Sequence, residues 1–156
     1  QRPHRFVGMH FFNPVPQVRV AEVIRGKATS DESMEQAEDF IRSLRLDPVV
    51  VERDVPGFVL NRISMVASNE AMRLVQDGIA APADIDRGVK GAFGWRMGPL
   101  ETADLVGLDV VLHARDAVFE ATGERRFKPP HVLRKLVEEG RLGRKTGHGF
   151  YEYGDR

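Results

Sequence analysis

Apolar and polar positions in the first third of the chain predict strands around one helix. Residues 5–12 and 18–24 are short β-rich runs, and the segment NPVPQ between them carries two prolines that break pairing and turn the chain. Apolar residues then recur at helical spacing over about residues 30–44, where Thr29 and Glu32 match a capping box. The segment DPVVVERD, with three consecutive valines, favours a buried strand. The predicted order is strand, strand, helix, strand.

From Pro56 onward the apolar spacing becomes helical and predicts an all-α piece. The predicted helices begin near Val59, Pro82, Gly98 and His131. The third of them carries an apolar stripe from Leu100 to Phe119 and is predicted as one helix. A glycine-rich loop and the aromatic run FYEY follow. We therefore predict a mixed fold, with an α/β piece over residues 1–54 and a helical piece over residues 55–156.

Composition and charge exclude several classes of protein. The 156 residues include 23 basic and 23 acidic side chains, so no net charge would draw the chain onto nucleic acid or an anionic membrane. No apolar run approaches the roughly 18 residues of a membrane-spanning helix. The lack of cysteine rules out disulfides and is compatible with a reducing cytoplasm. Because the chain begins with Gln1 rather than Met, and its first residues run straight into an apolar strand-like segment, we interpret it as a fragment of a longer protein.

One histidine, His10, stands in the apolar segment GMHFFNPVP, and one glutamate, Glu22, stands in the next apolar run. They lie twelve positions apart on neighbouring predicted strands, and a proline-rich connection could bring them side by side. A carboxylate bonded to one imidazole nitrogen fixes the tautomer and leaves the other nitrogen able to take a proton. The pattern fits a catalytic base with its orienting carboxylate, and it also fits a core histidine satisfied by its neighbour.

Two asparagines are further candidates. Asn61, in PGFVLNRI, follows the predicted junction, where an amide could reach into a ligand cleft. The spacing by itself favours the alternative, a helix residue exposed to solvent or bonded to its own backbone. Asn13 precedes Pro14, which is ordinary turn chemistry.

The sequence carries no motif for a metal or for cofactor phosphates. The remaining histidines lack the close spacing of metal ligands, so we predict no metal site. The segment GRKTGHG lacks the spacing of a P-loop, and GVKGAFG lacks the Gly-x-Gly-x-x-Gly fingerprint of a dinucleotide site.

Five segments in order closely resemble the L-3-hydroxyacyl-CoA dehydrogenase family, especially its 3-hydroxybutyryl-CoA dehydrogenase members. They are GMHFFNPVP, VRVAEVI, PGFVLNRI, GPLETADLVGLDVV and GRLGRKTGHGFYEY, and they run from residue 8 to residue 153. The resemblance implies that residues 1–54 are the last part of a Rossmann-type NAD-binding domain and that residues 55–156 are the helical domain. The family's glycine-rich loop, acidic ribose-binding residue and substrate-contacting serine would lie upstream.

The resemblance also implies residue roles, with NAD as cofactor. His10 would be the general base that removes the 3-hydroxyl proton while hydride leaves C3, and Glu22 would hold and polarise it. Asn61 would hydrogen-bond the substrate near the reacting oxygen, and Asn13 would lie near the nicotinamide. A base within reach is worth on the order of 10²–10⁴ in rate.

The expected function is the interconversion of 3-hydroxyacyl-CoA and 3-oxoacyl-CoA in fatty-acid metabolism, such as β-oxidation. The expected partners are an acyl-CoA thioester and a second copy bound through the helical domain, with no nucleic acid and no membrane, in the cytoplasm. The isolated fragment is expected to be inactive. Three alternatives stay open: a dehydrogenase of a non-CoA hydroxy acid or sugar acid, a module that only dimerises, and a piece of a multifunctional fatty-acid oxidation protein.

Overall fold

The computed structural model describes residues 1–154, and the chain divides into two compact units. The first unit is Gln1–Leu60 and the second is Asn61–Arg156. Within the described residues, no helix has both the length and the apolar character needed to cross a membrane.

The first unit is a three-stranded sheet with one helix against it. Strand β1 (Val7–Phe11) pairs antiparallel with β2 (Val20–Arg25), and β2 pairs parallel with β3 (Asp47–Val51). Helix α1 (Asp31–Ser43) forms the crossover that two parallel neighbours require. A 3-10 turn at Pro3–Arg5 precedes β1. The predicted order of strands and helix is confirmed.

The central strand β2 is buried on both faces. Ala21 and Val23 pack with residues of α1 in one apolar cluster. Because successive side chains on a strand point to opposite faces, Glu22 faces away from α1, and it is nonetheless fully buried. A charged residue at such a position needs polar partners of its own.

The capping box predicted from Thr29 is wrong, since the N-cap of α1 is the next residue. The Ser30 hydroxyl accepts a hydrogen bond from the Ser33 amide at 3.2 Å. The Thr29 hydroxyl instead accepts the Gly26 amide at 2.9 Å and donates to the Phe6 carbonyl. Both side chains suit an N-cap, and the strand contacts of Thr29 decide between them.

In the described part of the second unit, helices pack around one main apolar core, with 3-10 turns at Arg125–Phe127 and Arg144–Thr146. The helices are α2 (Leu60–Gln76, whose first residue closes the first unit), α3 (Pro82–Phe93), α4 (Pro99–Val106), α5 (Leu108–Thr122) and α6 (His131–Glu138). The core residues are Ala71, Met72, Leu100, Ala103, Leu108, Val111, Leu133 and Leu136.

Positive φ angles set two helix boundaries, of which one was not predicted. The helix whose apolar pattern begins at Val59 starts at Leu60, since Gly57 and Phe58 have φ of 79° and 45° and form a turn before it. The third predicted helix is in fact two helices, because Gly107 at φ 101° separates α4 from α5. The apolar stripe continues across this break, so apolar spacing alone predicts a single helix.

A buried aspartate on α4 holds the glycine-rich tail. Asp104 accepts the amides of Phe150 and Tyr151 and the hydroxyl of Tyr153, each at 3.0 Å. Desolvation raises the pKa of Asp104, and these three donors oppose that rise. Burial also raises the pKa of Tyr153 to about 12, so its hydroxyl stays protonated and donates at neutral pH.

A second buried aspartate ties the tail to α3 and α4. Asp86 accepts the amides of Leu100 and Glu101, in the first turn of α4, at 3.0 and 2.7 Å. It also accepts the Tyr151 hydroxyl at 2.8 Å. A carboxylate suits this position because the exposed amides of a helix N-terminus carry partial positive charge.

The tail glycines make room for Asp104. A Cβ on Gly149 would lie 2.3 Å from Asp104 Oδ1, and a Cβ on Gly143, whose φ is +90°, would lie 2.3 Å from the Asp104 carbonyl oxygen. Both distances are far inside van der Waals contact. These glycines therefore serve close packing around a carboxylate.

We expect Gly149→Ala to lower the free energy of unfolding by at least about 2 kcal/mol, because the added methyl group must displace a carboxylate that holds three donors. Gly88→Ala in α3 is the matched control, since its Cβ would meet nothing within 4 Å; it should stabilise the helix by roughly 0.5–1 kcal/mol. Urea unfolding of both variants measures the difference. Equal stability of the two variants would contradict the packing role of Gly149.

Candidate active site

The sheet register places His10 beside Glu22. The two residues are direct partners across the β1–β2 pair, so their side chains emerge on the same face. Nδ1 of His10 lies 2.7 Å from Oε2 of Glu22. The side-by-side arrangement expected from the spacing is therefore present.

The second oxygen of Glu22 is satisfied by backbone amides. Oε1 accepts the N–H groups of Val59 at 2.9 Å and Leu60 at 2.8 Å, both within the first unit. Since amides can only donate, Oε1 serves as an acceptor, and an ionised carboxylate accepts at both of its oxygens. The bond to His10 is then Nδ1–H donating to Oε2, which fixes the tautomer of the neutral imidazole.

The remaining ring nitrogen of His10, Nε2, has no hydrogen-bond partner among residues 1–154. The side chain is 28% exposed, and two aromatic rings pack on it. Phe12 lies edge-on with ring centroids 4.5 Å apart, and Phe58 is tilted with centroids 5.4 Å apart. The aromatic contacts and the Glu22 bond restrict the ring, so Nε2 is a positioned acceptor open to a ligand.

The two candidate asparagines lie in different settings. Asn13 is exposed in the turn after β1, and no hydrogen bond to its side chain occurs within the described residues. Asn61 is half-buried in the first turn of α2, in the second unit. It lines a cavity of about 300 Å³ whose wall also includes Ser64 and Arg115.

Several contributors to the site were not identified from the sequence. The amides of Val59 and Leu60 carry no side-chain signal, and they meet Glu22 from 37 and 38 residues away. Phe58 precedes them in PGFVLNRI. Gly57 and Phe58 have positive φ angles and form this turn. The Pro-Gly pair is the sequence feature that indicates a turn there.

Two family models match the chain in sequence order. Residues 1–55 match the 3-hydroxyacyl-CoA dehydrogenase, NAD binding domain, and residues 57–153 match the 3-hydroxyacyl-CoA dehydrogenase, C-terminal domain. The chain belongs to the 3-hydroxyacyl-CoA dehydrogenase family. The predicted family and fold class are confirmed, and the cofactor named by the first family description, NAD, is the predicted one.

Individual proteins agree with the family match. The chain is 44% identical over 152 residues to a Deinococcus radiodurans protein named "Probable 3-hydroxybutyryl-CoA dehydrogenase", covering 97% of this chain and 54% of that protein. It is 42% identical over 153 residues to the human mitochondrial hydroxyacyl-coenzyme A dehydrogenase, covering 97% of this chain and 48% of that protein.

A solved structure is also similar to this chain over nearly its whole length. The (S)-3-hydroxybutyryl-CoA dehydrogenase of Ralstonia eutropha superimposes with a TM-score of 0.92 at 40% identity, over 99% of this chain and 54% of that one. The chain thus spans about half the length of the relatives it matches.

We expect Glu22→Gln to reverse the tautomer of neutral His10. The glutamine oxygen would accept the two amides that Oε1 now accepts, which leaves the glutamine NH₂ group facing Nδ1. Nδ1 must then accept, so the ring proton moves to Nε2. Imidazole ¹⁵N chemical shifts, recorded where the ring is neutral, distinguish the two tautomers.

The control is Glu152→Gln, which alters a second histidine–glutamate pair of the described residues, an exposed one with His148. It should leave the His10 signals unchanged. Retention of the Nδ1–H tautomer in Glu22→Gln would mean that Glu22 does not set the proton position.

Proposed function

We propose that this chain is part of an NAD-dependent 3-hydroxyacyl-CoA dehydrogenase that interconverts 3-hydroxyacyl-CoA and 3-oxoacyl-CoA. The observation that carries the proposal is the histidine–glutamate pair, in which Nδ1 of His10 is bonded to Glu22 and Nε2 is left open. Family membership supports the reaction class. The substrate and the activity of the whole protein are proposed from these two supports.

In the proposed oxidation, Nε2 of His10 removes the proton of the 3-hydroxyl group. The C3–H bond breaks with its electron pair, and the oxygen lone pair forms the carbonyl of the 3-oxo product. NAD, when bound, would supply the acceptor for the hydride that leaves C3. The proton stays on the imidazole, where the carboxylate of Glu22 stabilises the imidazolium.

Glu22 is proposed as a positioning residue. Its carboxylate contacts the base and two backbone amides, so it acts on the reaction through His10. In the reverse direction the same pair would deliver the proton to the carbonyl oxygen.

The residues present fit only the nicotinamide end of NAD. The side-chain amide of Asn13, exposed after β1, offers a donor and an acceptor of the kind that a carboxamide needs. The sequence has no glycine-rich phosphate loop. We therefore propose that Asn13 contacts the nicotinamide, that the phosphates bind outside this chain, and that the isolated chain is inactive.

Asn61 is proposed to hydrogen-bond the substrate near its reacting oxygen. Support comes from the resemblance of PGFVLNRI to the family and from the position of Asn61 on a cavity wall. A role in fatty-acid metabolism, including membership of a multifunctional protein, is proposed on the same resemblance. The cytoplasmic location stays a prediction, since a mitochondrial protein is among the relatives.

We expect His10→Gln in the full-length enzyme to lower kcat at least about 100-fold, because the variant lacks the base. NAD affinity should change little. NADH formation from 3-hydroxybutyryl-CoA gives the rate, and fluorescence titration gives the affinity. Glu22→Gln should also reduce kcat, because the reversed tautomer places the ring proton on Nε2, the atom that must accept the substrate proton.

His148→Gln serves as the control for this experiment, since it removes the imidazole of the exposed pair and should leave kcat unchanged. Near-normal kcat in His10→Gln would exclude His10 as the base. Turnover of free hydroxy acids or sugar acids, but not of the CoA thioester, would favour the non-CoA alternative.

We also propose that the second unit forms a homodimer. Several large apolar side chains in it are more than half exposed, and a second copy bound over them would remove apolar surface from water. Those that do not line the cavity of Asn61 are Ile63, Ile79, Phe93 and Leu105.

We expect Leu105→Glu to convert the dimer into a monomer, because a buried unpaired charge would oppose association. Phe40→Glu is the matched control: Phe40 is 49% exposed and lies in the first unit, against 51% for Leu105. Sedimentation velocity measures both. A monomeric unmodified protein would exclude the dimer. A dimeric Leu105→Glu variant would exclude Leu105 from the interface.

A further inference from the structure

The cavity that Asn61 lines also holds a buried positive charge. It has a volume of about 300 Å³, at the small end of ligand sites. Its walls come from α2, α4 and α5 together with Trp95, and all lie in the second unit. The polar side chains on the wall are Asn61, Ser64, Ser68, Thr102 and Arg115.

Arg115 of α5 is 5% exposed, and among residues 1–154 it bonds only to neutral acceptors. Nε donates to Asn69 Oδ1 at 2.7 Å, and Nη1 donates to the Val111 carbonyl at 3.0 Å. Nη2 donates to the Ser68 hydroxyl. Within residues 1–154, no carboxylate forms an ion pair with it. Buried arginines are otherwise paired with an anion, so the natural counter-charge of this one is missing from the described chain.

The guanidinium remains charged at neutral pH. Burial lowers the pKa of Arg115 to about 10, with no acidic neighbour among the causes. Its bonds within the described residues use one N–H group on each nitrogen. A guanidinium has five N–H groups, which leaves one on each terminal nitrogen, the number that a carboxylate accepts in a bidentate pair.

The sequence position makes this charge unusual. Arg115 lies four residues after Val111 and three before Val118, both buried, and these spacings put all three on one face of α5. An apolar side chain there would avoid the cost of desolvating a charge. The charge is thus costly for packing and suited to binding.

We propose that this cavity binds a ligand carboxylate with Arg115 as its charge partner. The substrate class, which rests on the proposed function and on the presence of Asn61 on the same wall, is a 3-hydroxyacyl-CoA whose acyl chain ends in a second carboxylate. The alternative is a purely structural role, in which Arg115 only links α5 to Ser68 and Asn69 of α2.

The test compares two thioesters with six-carbon acyl chains, 3-hydroxyadipyl-CoA and 3-hydroxyhexanoyl-CoA. Calorimetry on the full-length protein with NADH present measures their affinities without turnover. We expect the dicarboxylic thioester to bind at least about tenfold more tightly, because a buried charge-assisted pair adds to its affinity. Equal affinities in the unmodified protein would overturn the proposal without the need for any variant.

Three variants then separate binding from packing. Arg115→Met should weaken the dicarboxylic thioester by roughly 30-fold or more and leave the other thioester nearly unchanged, and Arg115→Lys should retain part of the preference. Arg87→Met removes an exposed arginine of α3 and should change neither affinity. If Arg115→Met weakened the binding of both thioesters equally and lowered the melting temperature, Arg115 would have a structural role and the proposal would be overturned.

NADH formation with NAD distinguishes this proposal from the proposed function. Oxidation of both thioesters with equal kcat/KM and equal affinity would keep the dehydrogenase and remove the carboxylate site. Arg115-dependent binding of the dicarboxylic thioester without any NADH formation would keep the site and remove the dehydrogenase. No binding of either thioester would overturn both.

Discussion

The arrangement of the first unit around its candidate base depends on one buried carboxylate. Glu22 lies on the central strand, on the face away from α1, where an uncompensated charge would be costly. It is tolerated because His10 donates to one oxygen and the amides of Val59 and Leu60 donate to the other. The same bonds that satisfy the charge also fix which imidazole nitrogen is open. Stability and chemistry therefore share one set of contacts.

The second unit contains two more buried carboxylates that are satisfied by hydrogen-bond donors, and one buried cation that differs from them. Asp86 and Asp104 are fully buried, and each is surrounded by amide and tyrosine donors. Both carboxylates therefore have their hydrogen-bond partners within the described chain, and both hold the tail in place. Arg115 is comparably buried, but its acceptors within the described residues are all neutral. Of these three buried charged groups, Arg115 is the one for which we propose a partner outside the described chain.

The sequence predicted those features that arise from local patterns. Short β-rich runs and helical apolar spacing predicted the strands and most helices, and the neighbouring strands suggested that His10 could lie beside Glu22. Gly107 escaped prediction because the apolar stripe continues through it, and only its φ of 101° reveals the break. Ser30 and Thr29 both suit an N-cap, so a tertiary contact had to decide. The amide partners of Glu22 come from a distant turn and have no side-chain signature, which is why spacing alone left the role of His10 open.

The contacts of Asp104 also bear on how the protein is made. Its donors lie 46, 47 and 49 residues further along the chain. During synthesis, which proceeds from the N-terminus at roughly 5–20 residues per second, α4 leaves the ribosome seconds before the residues that complete its buried carboxylate. Until Phe150–Tyr153 emerge, the nascent helices hold an acidic group without these partners, and closing the core over it would leave a carboxylate desolvated and unsatisfied. We therefore expect final packing of the helical unit to wait until its aromatic tail has been translated.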